Sequence, residues 1–461
     1  MRARAREPGG GAPASGAVTP RLALVAVLLA LGGCAGYSDS FDPIAASLAE
    51  QRYDRALEAL ERRPPARRDQ VLYLLDRGML LRMNRDFAGS NQALEAAQAR
   101  IAELYGKSVS EESLAFVIND ATRSYVGEEH EQVLMHLYKA LNYLDLGARD
   151  EARVEALQVD VRLREFGEKV GYAEDAFARY LTGIIYEERG EWSDAMIAYR
   201  KAYDGYRKYR ADYAVDIPQF LKQDLLRLAS RQGLRQELAR YKKEFALDRW
   251  MSLDELRAQG ELIFILHAGL APIKREHAVT LPDPQSGHLV RISLPYYESR
   301  PADVARARLT VGGAEVATAL VEDVEAIARK SLAAKMPAIS ARAAARAVVK
   351  SQLARAAREG GRGGGDRDNA LAAIVLGLGV EVASLLTERA DTRGWLTLPH
   401  DIQLARLPLP PGSHKIKVDL LDRNDQVVAV REYADVVIRR GRKTFISQHW
   451  ISPRPYTWRT P

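Results

Sequence analysis

Residues 180–202 read YLTGIIYEERGEWSDAMIAYRKA. Apolar and aromatic residues recur at helical spacing in both halves of this stretch, and Gly190 stands between the halves. A small residue such as Gly183 lets a second helix approach closely, an aromatic residue such as Tyr199 fills the space beside it, and a glycine ends the first helix. The stretch therefore predicts a helical hairpin, meaning two antiparallel helices joined by a short turn.

The same pattern recurs earlier in the chain. Positions within residues 138–152 match positions within residues 180–195 at an offset of 43, and a second pair of segments shows an offset of 34. Self-similarity of this kind is typical of stacked helical hairpins. The pattern resembles the tetratricopeptide repeat and predicts a helical repeat domain over residues 45–250, with an irregular helical bundle as the alternative. The matching positions are Ala140 and Gly183, Tyr143 and Tyr186, Gly147 and Gly190, and Ala152 and Ala195 at the first offset, and Tyr53 and Phe87, Ala56 and Ser90, and Leu60 and Leu94 at the second.

Tetratricopeptide arrays usually bind a peptide in an inner groove, and some hold a terminal carboxylate with Lys and Asn residues. This chain has apolar residues at the corresponding positions, so that clamp is absent. An apolar groove either binds an apolar segment of a partner or is filled by the chain itself. We favour the second interpretation, because a soluble chain rarely exposes so large an apolar patch. The residues predicted to line the groove are Leu134, Leu137, Leu141, Leu144, Phe177, Tyr180 and Ile184.

The second half of the chain predicts strands. Residues 262–266 (LIFIL) form a short apolar run that is typical of a buried strand. Short alternating segments follow, with glycine pairs at predicted hairpin turns and Pro295 at the predicted end of a strand. The sequence therefore predicts an α+β protein, in which residues 260–320 and 391–450 form an antiparallel β-sandwich-like domain.

A helical insertion is predicted between the two groups of strands, over residues 321–390, and Pro337 is expected to divide it. Its first part carries Arg342, Arg346 and Lys350 at intervals of four residues, which places them on one helix face. The interpretation we favour is a solvated basic face. The alternative is an arm that contacts anionic head groups or glycan.

The N-terminal sequence resembles a bacterial lipoprotein signal. Residues 22–31 (LALVAVLLAL) are apolar and follow a basic stretch, and they are too short for a transmembrane helix, which needs about 20 residues. The resemblance implies removal of residues 1–33 and a lipidated tether over residues 34–44; an ordinary signal peptide is the alternative. Since residue 35 is alanine and not aspartate, it also implies the outer membrane. The residues that resemble the lipobox are Leu31, Gly32 and Gly33, and the lipid is expected on Cys34, the only cysteine.

Charge and composition exclude several classes of function. The chain has 461 residues and a formal net charge of +6, but its first 33 residues contain four arginines and one glutamate. The remainder carries a net charge of about +3, which is too small for a nucleic-acid-binding surface. A single cysteine also excludes an intrachain disulfide and a thiolate zinc cluster.

The sequence contains no recognisable catalytic motif. His130-Glu131 begins like the zinc-protease motif, but Leu134 stands where the second histidine is required. The acidic pairs Glu128-Glu129 and Glu187-Glu188 are interpreted as solvated helix surface. We therefore expect no enzyme activity, no cofactor and no metal site, with an envelope hydrolase that lacks a sequence motif as the remaining alternative.

Taken over residues 45–450, the chain resembles a family of bacterial outer-membrane lipoproteins with tetratricopeptide-like repeats. The resemblance rests on residues 139–144, 152–156, 180–183 and 393–399 (RGWLTLP). It implies a lipid-anchored scaffold or adaptor that faces the periplasm and binds envelope proteins, with assistance to peptidoglycan or surface assembly as one implied role. The alternative is a structural lipoprotein that contacts membrane or glycan directly.

Overall fold

The computed structural model describes residues 37, 38, 41–118, 123–170, 175–282, 289–300, 302–359 and 388–453. Helices occupy the first part of the chain, and strands with one long helix occupy the second. The protein is therefore α+β, as the sequence predicts. Within the described part, none of the helices combines the length and the apolar character that crossing a bilayer requires.

The helices of the first half pack in consecutive hairpins. Gly147 and Gly190 both end the first helix of a hairpin with positive φ values of 75° and 78°, a conformation that glycine adopts without steric cost. A Cβ atom on Gly183 would lie 2.4 Å from the ring of Tyr199, so this glycine allows the two helices to touch. The hairpins are α1 (Asp42–Ala49) with α2 (Tyr53–Glu61), α3 (Gln70–Met83) with α4 (Phe87–Ile118), α5 (Glu129–Asp145) with α6 (Arg149–Val170), α7 (Ala176–Arg189) with α8 (Trp192–Tyr213), and α9 (Gln219–Arg231) with α10 (Arg235–Phe245); the short α11 (Leu253–Ala258) follows.

The strands form two four-stranded sheets and one two-stranded ribbon. The central sheet has the order β10-β1-β7-β6, the outer sheet has the order β5-β4-β8-β9, and the ribbon consists of β2 and β3. Among the described strands, all pairs are antiparallel except β1 with β10, which is parallel. The sheets are therefore rich in antiparallel pairs, as the sequence predicts, and contain one parallel pair that it does not predict. The strands are β1 (Gly260–Ala268), β2 (Ile273–Pro282), β3 (Leu289–Glu298), β4 (Arg306–Val311), β5 (Ala314–Ala317), β6 (Ala319–Asp323), β7 (Asp401–Leu409), β8 (Gly412–Leu421), β9 (Val427–Ile438) and β10 (Lys443–Trp450).

Strand β1 shows how the layers are ordered. Every residue of this strand is buried. Ile263 and Ile265 belong to the hydrophobic cluster of the helices, whereas Leu262, Phe264 and Leu266 belong to the cluster shared with the outer sheet. Since neighbouring residues of a strand point to opposite faces, the central sheet lies between the helical hairpins and the outer sheet.

Two prolines do not end the elements in which they lie. Strand β3 continues through Pro295 to Glu298, because the ribbon has two strands and one edge of β3 requires no backbone donor. Helix α12 (Val324–Glu359) continues through Pro337, and it packs against β3 along part of its length. An interior proline bends a helix or removes one hydrogen bond, and tertiary packing can hold the helix together across it.

Candidate functional site: the inner surface of the helical hairpins

The inner surface is formed by α3, α5, α7 and α9, the first helices of their hairpins, where they face the central sheet. The residues predicted to line a groove lie on α5 and α7 and are all buried, Leu144 being the most exposed at 9%. Tyr180 Oη accepts a hydrogen bond of 2.9 Å from Arg406 on β7, so the chain's own sheet reaches this surface. The other lining residues are Leu134, Leu137, Leu141, Phe177 and Ile184, and they share one hydrophobic cluster with Ile263, Ile265, Ile402 and Leu404 of the central sheet.

An irregular segment, residues 391–399, also lies on the inner surface and is called the inner segment below. The backbone N–H of Trp395 donates to Glu131 on α5 at 2.7 Å. Both the N–H and the hydroxyl of Thr397 donate to Asp76 on α3, at 3.0 and 2.8 Å. Carboxylates of two helices therefore satisfy backbone donors that no neighbouring strand satisfies.

Burial changes the acidity of both carboxyl groups. Burial raises the pKa of Asp76 to about 6, although hydrogen bonds from Thr397 and Tyr37 oppose the change. Burial, together with the nearby charge of Glu128, raises the pKa of Glu131 to about 7. Each group thus costs free energy when it is ionised inside the protein.

A buried charge cluster joins the other end of the inner surface to the central sheet. Arg406 on β7 forms a two-point ion pair with Glu261 on β1, with both N–O distances at 2.8 Å. The same guanidinium contacts Asp224 on α9, whose other oxygen accepts from Arg227 at 2.5 Å. All four side chains are less than 9% exposed, so the ions stabilise one another in a region with little water.

Glu187 also belongs to this cluster, and its contacts differ from the solvated helix surface predicted for Glu187-Glu188. Its carboxylate accepts from Lys443 on β10 at 3.1 Å, and Glu188 accepts from the Lys443 backbone N–H at 2.9 Å. Burial alone would raise the pKa of Glu187, but the cations of Lys443, Arg406 and Arg227 outweigh it and lower the pKa to about 2. The Glu187-Glu188 pair is therefore buried and ion-paired, and its interpretation as solvated surface is wrong because its partners come from distant strands.

The second acidic pair, Glu128-Glu129, also forms ion pairs. Glu128 accepts from Lys274 of β2 and from Lys335 of α12, each at 2.6 Å, and Lys335 reaches Glu129 as well. Burial would raise the pKa of Glu128, but the two lysines lower it well below its usual range. This pair links the start of α5 to the ribbon and to the long helix.

The centre of the inner surface contains histidines, and their geometry does not match a catalytic triad. His267 on β1 lies 3.0 Å from Ser447 Oγ through Nε2. Its Nδ1, the atom that a triad places against a carboxylate, lies 3.2 Å from the phenol of Tyr138. Burial lowers the pKa of His267 well below its usual value, and the neighbouring His449 ring, stacked at 4.4 Å, lowers it further. Both effects favour the neutral form of the imidazole.

A small cavity of about 150 Å³ opens beside the charge cluster. Trp192, Arg257 and Gly441 lie at its wall, and Glu187 and Lys443 also line it. Glu187 and Lys443 already form an ion pair with each other, so the cavity does not by itself specify a ligand.

The three basic residues predicted to share one face of α12 differ in burial. Arg346 and Lys350 on α12 are buried and both bind Glu388, at 3.1 and 2.7 Å, whereas Arg342 is exposed. The expected solvated face therefore does not include Arg346 and Lys350, because both are buried and form ion pairs with Glu388 within the fold. The lipobox residues and Cys34 lie outside the described residues.

Comparison with known proteins assigns no family. No family model and no curated protein matches the chain. The solved structure of MamA AMB-1 is similar with 16% sequence identity and a TM-score of 0.28, covering 45% of this chain and 90% of that one. The Rap conjugation gene regulator of the plasmid pLS20, in complex with a Phr peptide, is similar with 12% identity and a TM-score of 0.28, covering 51% of this chain and 60% of that one. Both are distant similarities to proteins that contain tetratricopeptide repeats.

Sequence reasoning missed the residues that join the helices to the sheet. Glu261 directly precedes the apolar run 262–266, and Arg406 lies inside another apolar strand. A charged residue within a buried strand needs a partner of opposite charge, and this signal could have identified both residues as members of an ion-pair cluster.

Proposed function

We propose that the chain is a lipid-anchored scaffold or adaptor on the periplasmic face of the outer membrane. In this proposal it acts by binding protein partners and does not convert a substrate. Stacked helical hairpins commonly present extended surfaces to other proteins. The lipid anchor and the location are supported by the sequence pattern Leu31-Gly32-Gly33-Cys34.

The main support for the proposal is that residues of the chain itself occupy the inner surface of the hairpins. Arg406 of the central sheet contacts both Tyr180 and Asp224 of the helices, and Trp395 and Thr397 of the inner segment bind α5 and α3. A partner peptide would have to displace these buried groups to enter the usual groove. We infer that partners bind the outer surfaces of the hairpins and of the strands.

Photo-cross-linking in cells tests this assignment. A photoreactive amino acid is placed at Leu157 on α6 or at Leu281 on the ribbon, which are 45% and 50% exposed, and at the buried Tyr180 as the matched inner position. We expect adducts of discrete size with envelope proteins from an exposed position, and only cross-links within the chain from Tyr180. An intermolecular adduct at Tyr180, or adducts with lipid or glycan alone at the exposed positions, would contradict the proposal.

A further inference from the structure

The first described residues of the chain are bound to α3 and to the inner segment. The phenol of Tyr37 donates to Asp76 at 2.8 Å, and Ser38 Oγ donates to the carbonyl of Thr392 at 3.3 Å. Tyr37 is three residues after Cys34, so at most about 11 Å of extended chain separates their Cα atoms. A lipid on Cys34 would therefore hold this part of the protein close to the bilayer.

A basic loop lies beside this point. Residues 62–68 read RRPPARR, and the loop connects α2 to the turn before α3. Arg393, next to Thr392 in the inner segment, binds Asp69 at 3.2 Å, and Asp69 directly follows the loop. Ser38 is thus hydrogen-bonded to Thr392, and the next residue, Arg393, is bonded to Asp69 at the end of the basic loop. These contacts place the first described residues close to the loop.

The arginines of the loop face solvent. Arg62, Arg63 and Arg67 are exposed and Arg68 is partly exposed. Arg62 pairs with Glu58 at 3.2 Å, and Arg68 lies 3.6 Å from Asp69. Among the described residues, no carboxylate lies within ion-pair distance of Arg63 or Arg67. The adjacent prolines restrict the backbone between the two pairs of arginines, so the cationic groups are presented together.

We propose that the basic loop, residues 62–68, binds the anionic head groups of the membrane that carries the lipid anchor. This inference rests on the proposed anchoring at Cys34, and it deepens that proposal by identifying the protein surface that faces the bilayer. Each arginine near an anionic membrane surface contributes roughly a fivefold increase in binding. The attraction acts within about 10 Å, which is comparable to the reach from Tyr37 to Cys34.

The loop is a better candidate for head-group contact than the predicted face on α12. Arg346 and Lys350 are occupied by Glu388 inside the protein. Arg63 and Arg67 are exposed and lie near the position from which the anchor emerges. The structure therefore moves the predicted membrane contact from the insertion to the loop between the first two hairpins.

Vesicle binding by the unlipidated mature chain tests the proposal independently of acylation. Residues 34–461 carrying Cys34→Ser, without the basic and apolar stretch of residues 1–33, are mixed with vesicles of phosphatidylcholine alone, or of one part phosphatidylglycerol to two parts phosphatidylcholine. We expect binding to the anionic vesicles that weakens as salt is added, and at least a tenfold loss of affinity for Arg63→Glu/Arg67→Glu. Arg439→Glu/Arg440→Glu, which reverses two exposed arginines between β9 and β10, is the matched control and should change the affinity by less than about twofold.

The absence of a preference for anionic vesicles would overturn the proposal, as would an equal loss of affinity in the control variant. Neither result bears on whether Cys34 is acylated in cells, so failure of the loop and failure of the anchor are distinguishable. Thermal unfolding of each variant verifies that the chain is folded.

A second measurement leaves all arginines in place. Because Cys34 is the only cysteine, Cys34→Ser/Ala66→Cys has a single thiol in the basic loop, and Cys34→Ser/Ala434→Cys has a single thiol on β9. An environment-sensitive dye at residue 66 should respond to anionic vesicles and be quenched by nitroxide lipids, whereas the same dye at residue 434 should not. Equal responses at the two positions would contradict the proposed orientation.

Discussion

Tyr37 donates a hydrogen bond of 2.8 Å to Asp76, and the same carboxylate group accepts two hydrogen bonds from Thr397. One side chain of α3 therefore binds both the residues that follow the predicted anchor and the segment that fills the inner surface. Asp76 and Thr397 are 321 residues apart in sequence. This shared acceptor couples the N-terminal connection to the core of the protein.

Loss of this acceptor should destabilise the protein. Asp76→Ala leaves the buried donors of Thr397 without a partner, and we expect the free energy of unfolding to fall by about 3 kcal/mol. Tyr37→Phe removes one hydrogen bond to a charged group and should cost about 1–2 kcal/mol. Urea unfolding measures both, with Glu315→Ala on the exposed β5 as a control that should change stability by less than about 0.5 kcal/mol. Equal effects of Asp76→Ala and Glu315→Ala would refute this role of Asp76.

Replacing glycine by alanine should change the stability of the protein in opposite directions at two helical positions. A Cβ atom on Gly183 would meet the Tyr199 ring at 2.4 Å, so Gly183→Ala should destabilise the hairpin by about 1–3 kcal/mol. A Cβ atom on Gly106 of α4 would meet nothing within 4 Å. Gly106→Ala should therefore stabilise the protein by about 0.5–1 kcal/mol, because alanine favours the helix. Thermal unfolding distinguishes the signs, and a stabilising Gly183→Ala would show that α7 and α8 do not pack as described.

The stability that the charge cluster contributes should depend strongly on Arg406. Arg406→Met removes the cation that binds Glu261 and Asp224, and the uncompensated buried carboxylates should lower the free energy of unfolding by about 3–5 kcal/mol. Arg306→Met on β4 is the matched control, because Arg306 forms an exposed ion pair with Asp425 and should contribute at most about 1 kcal/mol. Denaturant unfolding compares the two variants. Similar losses would mean that Arg406 does not neutralise buried charge.

The raised pKa of Glu131 predicts a pH dependence with a defined sign. Burial raises the pKa of this carboxyl to about 7, so the folded state binds a proton that the unfolded state releases near pH 4.5. The stability that Glu131 contributes in its protonated form should therefore be lost as the pH rises from about 4.5 through 7, by about 3 kcal/mol. Glu131→Gln should remove this dependence while retaining a side-chain carbonyl acceptor.

The measurement is the difference in unfolding free energy between wild type and Glu131→Gln from pH 5 to pH 8. Wild type should lose stability relative to the variant over this range. A difference that is constant with pH would show that Glu131 is ionised in the folded protein throughout. Comparing differences cancels the contributions of the other carboxylates, several of which have lowered pKa values and act at lower pH.

Local patterns were sufficient to predict the hairpins. The spacing of Gly183, Gly190 and Tyr199 predicts a close helix pair, and the structure places these residues at the helix contact and at the turn. The apolar run that includes Phe264 predicts a buried strand, which β1 confirms. These features depend on residues that are neighbours in sequence, so the sequence pattern contains the necessary information.

The polar interior could not be predicted in the same way. From its sequence neighbours, Glu187 is interpreted as a solvated helix residue. In the fold it is paired with Lys443, which lies 256 residues later in the chain. Arg346 likewise fits an exposed helix face until Glu388 is placed against it. The environment of each charge is set by tertiary pairing, which spacing along one helix does not encode.

The most direct test of the account is the chemical state of Cys34 in cells. The chain is expressed in a bacterium that receives a clickable fatty acid, with Cys34→Ser as the matched control, and the purified mature protein is analysed by labelling and by mass spectrometry. We predict that the mature chain begins at Cys34 with an attached acylated glycerol, and that Cys34→Ser is unlabelled. An unlabelled wild-type protein with a free thiol at Cys34 would contradict the lipid anchor and the membrane-facing orientation that depends on it.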